Sequence, residues 1–596
     1  MEHRNRNFAP PGRAAWQPWL SLALALVTVC LAAARTRGLT SRGLLEHDEG
    51  HALLNANTWR HVMRWAVEGG LWNGGGDSIA RLRDVLHQQG GTLYSAGKLG
   101  YSLLVAAVAL PGHVSTNLAL ALAWVAGLLV ALFSGVLAWR YTKAWVSVWL
   151  AVLGCVLSPL LFVLSREASG TIWAVVCGLA GACLIDWSVE NHFSANISKN
   201  RPGRKSRLAG NLAGVAGGML LGFGFTCHFN LAPFIIAVFV ASAWRAWQFS
   251  GSSTARANSL LQKHSRFSPL KEILLSLLPM TFGAAGFLLA FEAFTQTVDY
   301  VLRNAYPEFL PFSGELKRLF FRDQVPMLDG VLYGDGAIGW GRDAWMIYVR
   351  AILREGSGWF LLLMMSGVFW CGGLLKANRR RRSNATPALL LMIIPACFWA
   401  AYVYRVERVL GMCIAASWVF IGVTVGQRLT VYERGYRRSE PIRQRRLFIL
   451  MFLCVTFVRV ISDAYGFWEK VAEDHSPVPA VVRRTFEDPR ARGLLVNAGS
   501  FDTGFAPIWK WAIVEYERGQ AHVPTEKPAG ERTGPRVDFS RFDRPGIVFI
   551  DPSAWRRPTD DFHVTPEQAS AGQVLVEIRS HHPSWDVKSV LLPRGE

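Results

Sequence analysis

The sequence predicts a polytopic α-helical membrane protein of about eleven spans, followed by a small extracytoplasmic α/β domain. Three observations carry this. Of the 596 residues, 51% are hydrophobic and only 18% charged, with 24 Trp and a mean hydropathy of +0.22; soluble domains average about 25% charged residues. Apolar runs of about 20 residues, the length of helix that crosses bilayer hydrocarbon, recur from Trp16 to Phe467. Lys and Arg collect in alternate connections between those runs.

The first run, "WLSLALALVTVCLAAA", has no small-residue cleavage site before Arg35 and Arg37, and is read as an anchor, not a removed leader. Basic residues crowd "MEHRNRNFAPPGR", "WRYTK" (139–143), "KNRPGRKSR" (199–207), the 245–271 stretch, "KANRRRR" (376–382) and "QRLTVYERGYRRSEPIRQRR" (427–446). Short loops rich in Lys and Arg stay cytoplasmic. The loops between them lack that excess: 35–98, 165–170, 227–230, 295–356 and 404–408. The alternation places spans at roughly 16–34, 115–138, 144–164, 170–187, 209–227, 231–248, 272–294, 357–375, 387–403, 409–426 and 447–466. The N-terminus is then inside and the C-terminal domain outside.

One apolar piece, "LGYSLLVAAVALPG" (99–112), has only 14 residues. Counting it as a span would reverse every later basic loop. It is therefore expected as an interfacial or re-entrant helix on the outer side, completing a membrane domain over 1–467 whose first outer loop is 35–98. Residues 468–596 contain "RGLLVNAG" and "PGIVFIDP", β-branched runs bounded by Gly and Pro that read as strands, and a helix around 506–518. No cofactor fingerprint stands among them. All nine cysteines lie in or beside apolar runs, with neither disulfide nor metal-ligand spacing. Membrane orientation accounts for the formal charge of +20, so the expected partner is the bilayer and no nucleic acid.

On this topology the ionisable groups of interest share the outer face. Glu46, Asp48, Glu49 and His51 crowd a short loop after the first span; Tyr94 and Lys98 precede the interfacial helix. Arg166 and Glu167 form the second outer loop, His228 the third, and Arg405, Glu407 and Arg408 the fifth. Ionisable groups at span ends are functional candidates when they face a common cavity; for one alone, a snorkelling side chain is the plainer reading. His47 and His51 are four apart, as in the H-E-x-x-H zinc helix. Asp48 in the glutamate slot is one methylene short, Gly50 would cost that helix about 1 kcal/mol, and no third ligand follows. Sugar transfer from a membrane-held phosphate fits better: it needs a carboxylate to take a proton from the acceptor hydroxyl and cations to neutralise the departing phosphate.

Six pieces, in order along 16–466, resemble the GT-C superfamily of polyprenyl-phosphate-sugar-dependent glycosyltransferases, such as protein O-mannosyltransferases and the lipid A aminoarabinose transferase. They are "HDEGHALLNA", "GGTLYSAGKLGYSLLVAAVALPG", "LSREASGTIWAVVCGLAGACL", "GMLLGFGFTCHFNLAPFIIAVFV", "YVRAILREGSGWFLLLMMSGV" and "RVERVLGMCIAASWVF". Departures from the pattern include Ala96, Gly97 and Leu99 around Lys98 in place of prolines, His228–Asn230 where relatives carry Lys, and Val409 and Ala415 in the late run. The resemblance implies an extracytoplasmic active site and a polyprenyl-phosphate-linked sugar donor. Asp48 would be the base, or with Glu167 a ligand of a divalent cation in relatives that use one. Glu49 and Glu167 would orient hydroxyls; Lys98 and Arg408 would hold the donor phosphate. His51, Tyr94, Arg166, His228 and Arg405 would contact substrate. The rivals are a lipid-linked-sugar transporter and a silent assembly partner. A transporter would carry polar groups mid-span, and these spans are nearly free of charge at their centres.

Overall fold

The computed structural model describes residues 16–45, 47–68, 99–197, 204–257, 269–305, 342–375, 379–401, 407–435, 440–473, 475–491, 495–496, 506–521, 536–537, 547–550, 572–578 and 587–591. Among the described residues the membrane part consists of helices joined by turns and short connections. Helix α1 spans Trp16–Ala34, α2 His47–Val67, α3 Leu99–Val108, α4 Thr116–Thr142, α5 Trp145–Leu157 and α6 Pro159–Leu164. Then come α7 Gly170–Ile197, α8 Arg204–Cys227, a 3-10 turn Phe229–Leu231, α9 Ala232–Ala257 and α10 Pro269–Ala305. After these follow α11 Arg342–Arg354, α12 Gly356–Leu375, α13 Arg379–Ala401, a 3-10 turn Glu407–Leu410, α14 Gly411–Gly435 and α15 Glu440–Ala472.

Seven of these helices are long and apolar enough to cross a bilayer, and an eighth if α11 and α12, bent by 93°, form one broken span. The other expected crossings contain shorter apolar stretches: Leu22–Ala34, Trp145–Leu157 and Ala385–Ala400. The expected single span 144–164 is broken at Ser158. Pro159 lacks the N–H a continuous helix would use; it opens α6 instead, while the Ser158 hydroxyl accepts from the Leu161 N–H at 3.2 Å. Helix α3, at ten residues only about 15 Å long, is too short to cross. It packs against α2, where the Ser102 hydroxyl donates to the Ala52 carbonyl at 3.1 Å. The first-loop carboxylates also differ from expectation: Asp48 and Glu49 stand in the first turn of a 21-residue helix, not on a short loop.

The bundle is built around α14, buried along its whole apolar length and flanked by α4, α5, α12 and α13. Outer helices instead turn apolar side chains outward, among them Leu274, Phe282 and Leu289 of α10 and Phe448, Val455 and Val458 of α15. In water these faces would be unstable; in lipid they are solvated. Helix α15 passes the expected boundary at 467 without interruption, and Trp468 stacks on Phe162 at 5.3 Å.

Beyond it lie α16 (Val478–Glu487), β1 (Leu495–Val496), α17 (Ala506–Ala521), β2 (Arg536–Val537), β3 (Ile547–Ile550), β4 (Gln573–Ile578) and β5 (Val587–Leu591). The strands pair in the order β2-β1-β3-β5-β4, parallel from β2 to β3 and antiparallel at β3-β5 and β5-β4. Both strands and the helix expected from the sequence are present.

Candidate active site at the outer loops

Glu49 is fully buried at the start of α2, and three donors converge on it. Arg42 Nη1 reaches Oε1 at 2.7 Å, the Ala168 N–H reaches the same oxygen at 2.7 Å, and the Leu45 N–H reaches Oε2 at 2.7 Å. The bond back to Leu45 resembles the return bond of a capping box. The bond to Ala168 joins the first outer loop to the second. Glu49 thus fixes the position of Asp48 in α2; the Asp48 side chain lies outside the described residues, as do Tyr94, Lys98 and Arg405 entirely.

The second outer loop is fastened from α1 as well. Arg166 Nη1 donates to the carbonyls of Arg35 (3.2 Å) and Arg37 (2.8 Å), and Arg35 Nη2 donates to Ser165 Oγ (2.7 Å) and the Leu161 carbonyl (3.2 Å). Both guanidinium groups lie over the Phe162 ring, at 5.2 and 5.3 Å. These bonds tie Arg166 to the backbone just beyond α1. Glu167 follows directly and is also buried.

Two glycines close the third junction. A Cβ on Gly100 would collide with the Thr226 hydroxyl, and one on Gly170 with the Cys227 carbonyl, so only glycine lets α3, the second loop and the third loop meet so closely. His228 then caps the turn Phe229–Leu231, its Nδ1 accepting from the Asn230 N–H at 3.2 Å while its ring stacks on Phe229 at 5.0 Å. His51, on the first turns of α2, is half-buried. Arg408, half-buried, sits on the turn Glu407–Leu410; the next residue but two, Gly411, abuts Leu164 and Val175. The late loop therefore reaches the second outer loop.

Two features escaped the sequence reading. Glu355, at the elbow between α11 and α12, accepts from Ser158 Oγ and the Leu160 N–H, both at 2.9 Å, so a buried carboxyl fills the α5–α6 break. Its one sequence sign is its place directly before Gly356 at the start of an apolar run.

The second is the C-terminal domain's hold on the start of α4 and on α2. Glu515 of α17 accepts from the Thr116 N–H (2.9 Å) and hydroxyl (2.7 Å) at the start of α4, and Trp511 Nε1 donates to the same hydroxyl at 2.9 Å. Arg518 donates to the Val114 carbonyl at 2.6 Å and to Asn57 Oδ1 of α2 at 3.0 Å. Nearby His61 is pushed down to about 4, by burial first and then by Arg60, Arg518 and Arg64. Among the described residues no group of three or more His, Cys, Asp or Glu could hold a metal ion.

No family model matches the chain, and no curated protein matches it. Solved structures do. The Archaeoglobus fulgidus oligosaccharyltransferase in the apo form matches at 12% identity and TM-score 0.49, over 84% of this chain and 64% of that one. This chain thus spans less than two thirds of that protein. ArnT from Cupriavidus metallidurans bound to undecaprenyl phosphate matches at 14% identity and TM-score 0.45, over 97% of this chain and 98% of that one.

Proposed function

We propose that the protein is an integral-membrane glycosyltransferase that takes a sugar from a polyprenyl phosphate and passes it to an extracytoplasmic acceptor. The observation that supports this most is the Glu49 junction. It sets Asp48 one residue from a buried carboxylate that binds the second outer loop, and the late loop carrying Arg408 packs on the residues at the other side of that loop. Asp48 and Arg408 thus belong to segments that meet the same loop, and a carboxylate beside a guanidinium there would supply what proton abstraction beside a departing phosphate requires.

In this reading Asp48 accepts the proton of the acceptor hydroxyl as that oxygen attacks the anomeric carbon, and the bond from that carbon to the phosphate oxygen breaks. Arg408 and Lys98 stabilise the phosphate that leaves. Glu167 orients hydroxyls, and Glu49 holds the loop. The relatives that use a divalent cation would place it on Asp48 and Glu167. Asp48→Asn tests the reading: it keeps the shape and removes the base, so transfer falls by about 10²–10⁴-fold with detergent stability unchanged. Transfer within about tenfold of wild type would remove Asp48 from the role. Identification of a polyprenyl-linked sugar in the purified protein by mass spectrometry tests the donor directly.

A further inference from the structure

Among the described residues with buried polar atoms that have no partner are Ser169, through Oγ, Thr171, through Oγ1, and Asn230, through both amide atoms. Ser169 and Thr171 are 2% exposed and Asn230 7%. Folded proteins satisfy nearly all buried polar groups, because each one left open forfeits its hydration without replacement. Three orphaned residues along one seam call for an occupant.

They lie along one seam of the fold. Ser169 and Thr171 flank Gly170, which is pressed against the Cys227 carbonyl. Leu231, four residues further along, touches Gly178, two turns further along α7. The third outer loop therefore runs beside the first turns of α7, with Asn230 between its two contacts. The same seam borders Tyr101 of α3 and the Glu167 loop.

The chemistry of the set is specific. Each hydroxyl both donates and accepts, and the amide offers two donors and an acceptor; none carries charge. A phosphate or carboxylate, which only accepts, would use the donors and leave the acceptors open. A polyol, with alternating donors and acceptors, would use both. We propose that Ser169, Thr171 and Asn230 form a subsite that reads the hydroxyls of a neutral sugar ring. The inference rests on the glycosyltransferase reading above and adds which residues select the sugar. The ring belongs either to the lipid-linked donor or to a glycan acceptor, whose hydroxyl chemistry is the same.

The test uses the full chain in nanodiscs and the variants Ser169→Ala, Thr171→Val and Asn230→Leu. Affinities are measured for bare polyprenyl phosphate and for its mannosyl, glucosyl and galactosyl esters. Saturation-transfer NMR reports binding of the corresponding methyl glycosides. Because the removed groups have no protein partners, apo thermal stability should stay unchanged or rise. Preference for a sugar-bearing lipid over bare polyprenyl phosphate should fall by about tenfold per variant, the size of one lost hydrogen bond, with bare-lipid affinity constant. A loss confined to the methyl glycosides would support the subsite and assign the ring to the acceptor. Variants that bind every probe like wild type would overturn the inference, as would variants that lose stability without changing sugar preference. Wild type that binds no polyprenyl phosphate, with or without sugar, would instead refute the donor reading, and the methyl glycosides would still report on the seam.

Discussion

Replacing Glu49 by Gln should loosen the whole outer face, and the hydrogen bonds say by how much. Oε1 takes two donors, Arg42 and the Ala168 N–H, and Oε2 takes one, the Leu45 N–H. The glutamine carbonyl would keep the double site, which turns the amide nitrogen toward the Leu45 N–H, donor against donor. A buried donor left open costs about 1–3 kcal/mol. In addition Arg42, whose side chain is 5% exposed, loses its counter-charge, and breaking a buried ion pair from one side costs about 3–5 kcal/mol. The two effects overlap, so about 3–5 kcal/mol is the expected total, a large share of the about 5–15 kcal/mol that holds a typical domain. Thermal unfolding of the detergent-solubilised protein reads it, beside transfer activity. The double variant with Arg42→Met should recover part of the loss, since no buried charge then remains. Its coupling should lie toward the top of the about 0.5–3 kcal/mol range of contacting pairs. The reasoning is refuted if Glu49→Gln unfolds with wild type, or if the two substitutions simply add.

Three further outcomes are expected. Arg408→Lys should weaken donor use partially and Arg408→Ala severely, because lysine keeps the charge but not the two-pronged fork that grips two phosphate oxygens; both variants transferring like wild type at every donor concentration would move the phosphate site, with Lys98 next. Glu355→Leu should destabilise the elbow by about 1–3 kcal/mol, because Ser158 Oγ and the Leu160 N–H would lose their buried acceptor, and thermal unfolding together with wild type would refute that role. For topology, Cys introduced at Gly112 in a Cys-free background, where a side chain meets nothing within 4 Å, should react with an impermeant maleimide from outside. Cys at Lys143 should react only after permeabilisation, and the reverse pattern would invert the membrane orientation.

The helices were legible because an uninterrupted apolar run and a transmembrane helix impose the same length on the chain. The one break misread, at Ser158–Pro159, falls inside a continuous apolar run, where composition is silent and only the missing proline N–H decides. Charge loops gave an orientation but no contacts. The fastenings were illegible for a different reason: Glu49 and Ala168 are 119 residues apart, Glu355 and Leu160 195, and Glu515 and Thr116 399. No periodicity links such positions. Arg166 and His228 were picked out because polar residues are rare at span ends. What they do could not follow from that, since a sequence shows where polar groups crowd and not which neighbouring backbone groups they bond.

This division bears on where chemistry can reside. The fastening bonds of the outer face run largely to backbone: Glu49 to Leu45 and Ala168, Arg166 to Arg35 and Arg37, Glu355 to Leu160, Glu515 to Thr116, Arg518 to Val114. Backbone partners cannot be lost by mutation of the partner and hardly move, so each such bond sets a loop at a fixed place and leaves its own carboxylate or guanidinium committed to that place. A base must instead be able to gain a proton and lose it again within each turnover. Glu49 is poorly suited to that: protonating it would set a donor hydrogen among three donors and release Arg42. Asp48 directly precedes it, about 100° around the same helix, on the backbone that Glu49 holds. On the proposed reading Glu49 holds and Asp48 reacts, and substituting each in turn should separate loss of stability at Glu49 from loss of turnover at Asp48.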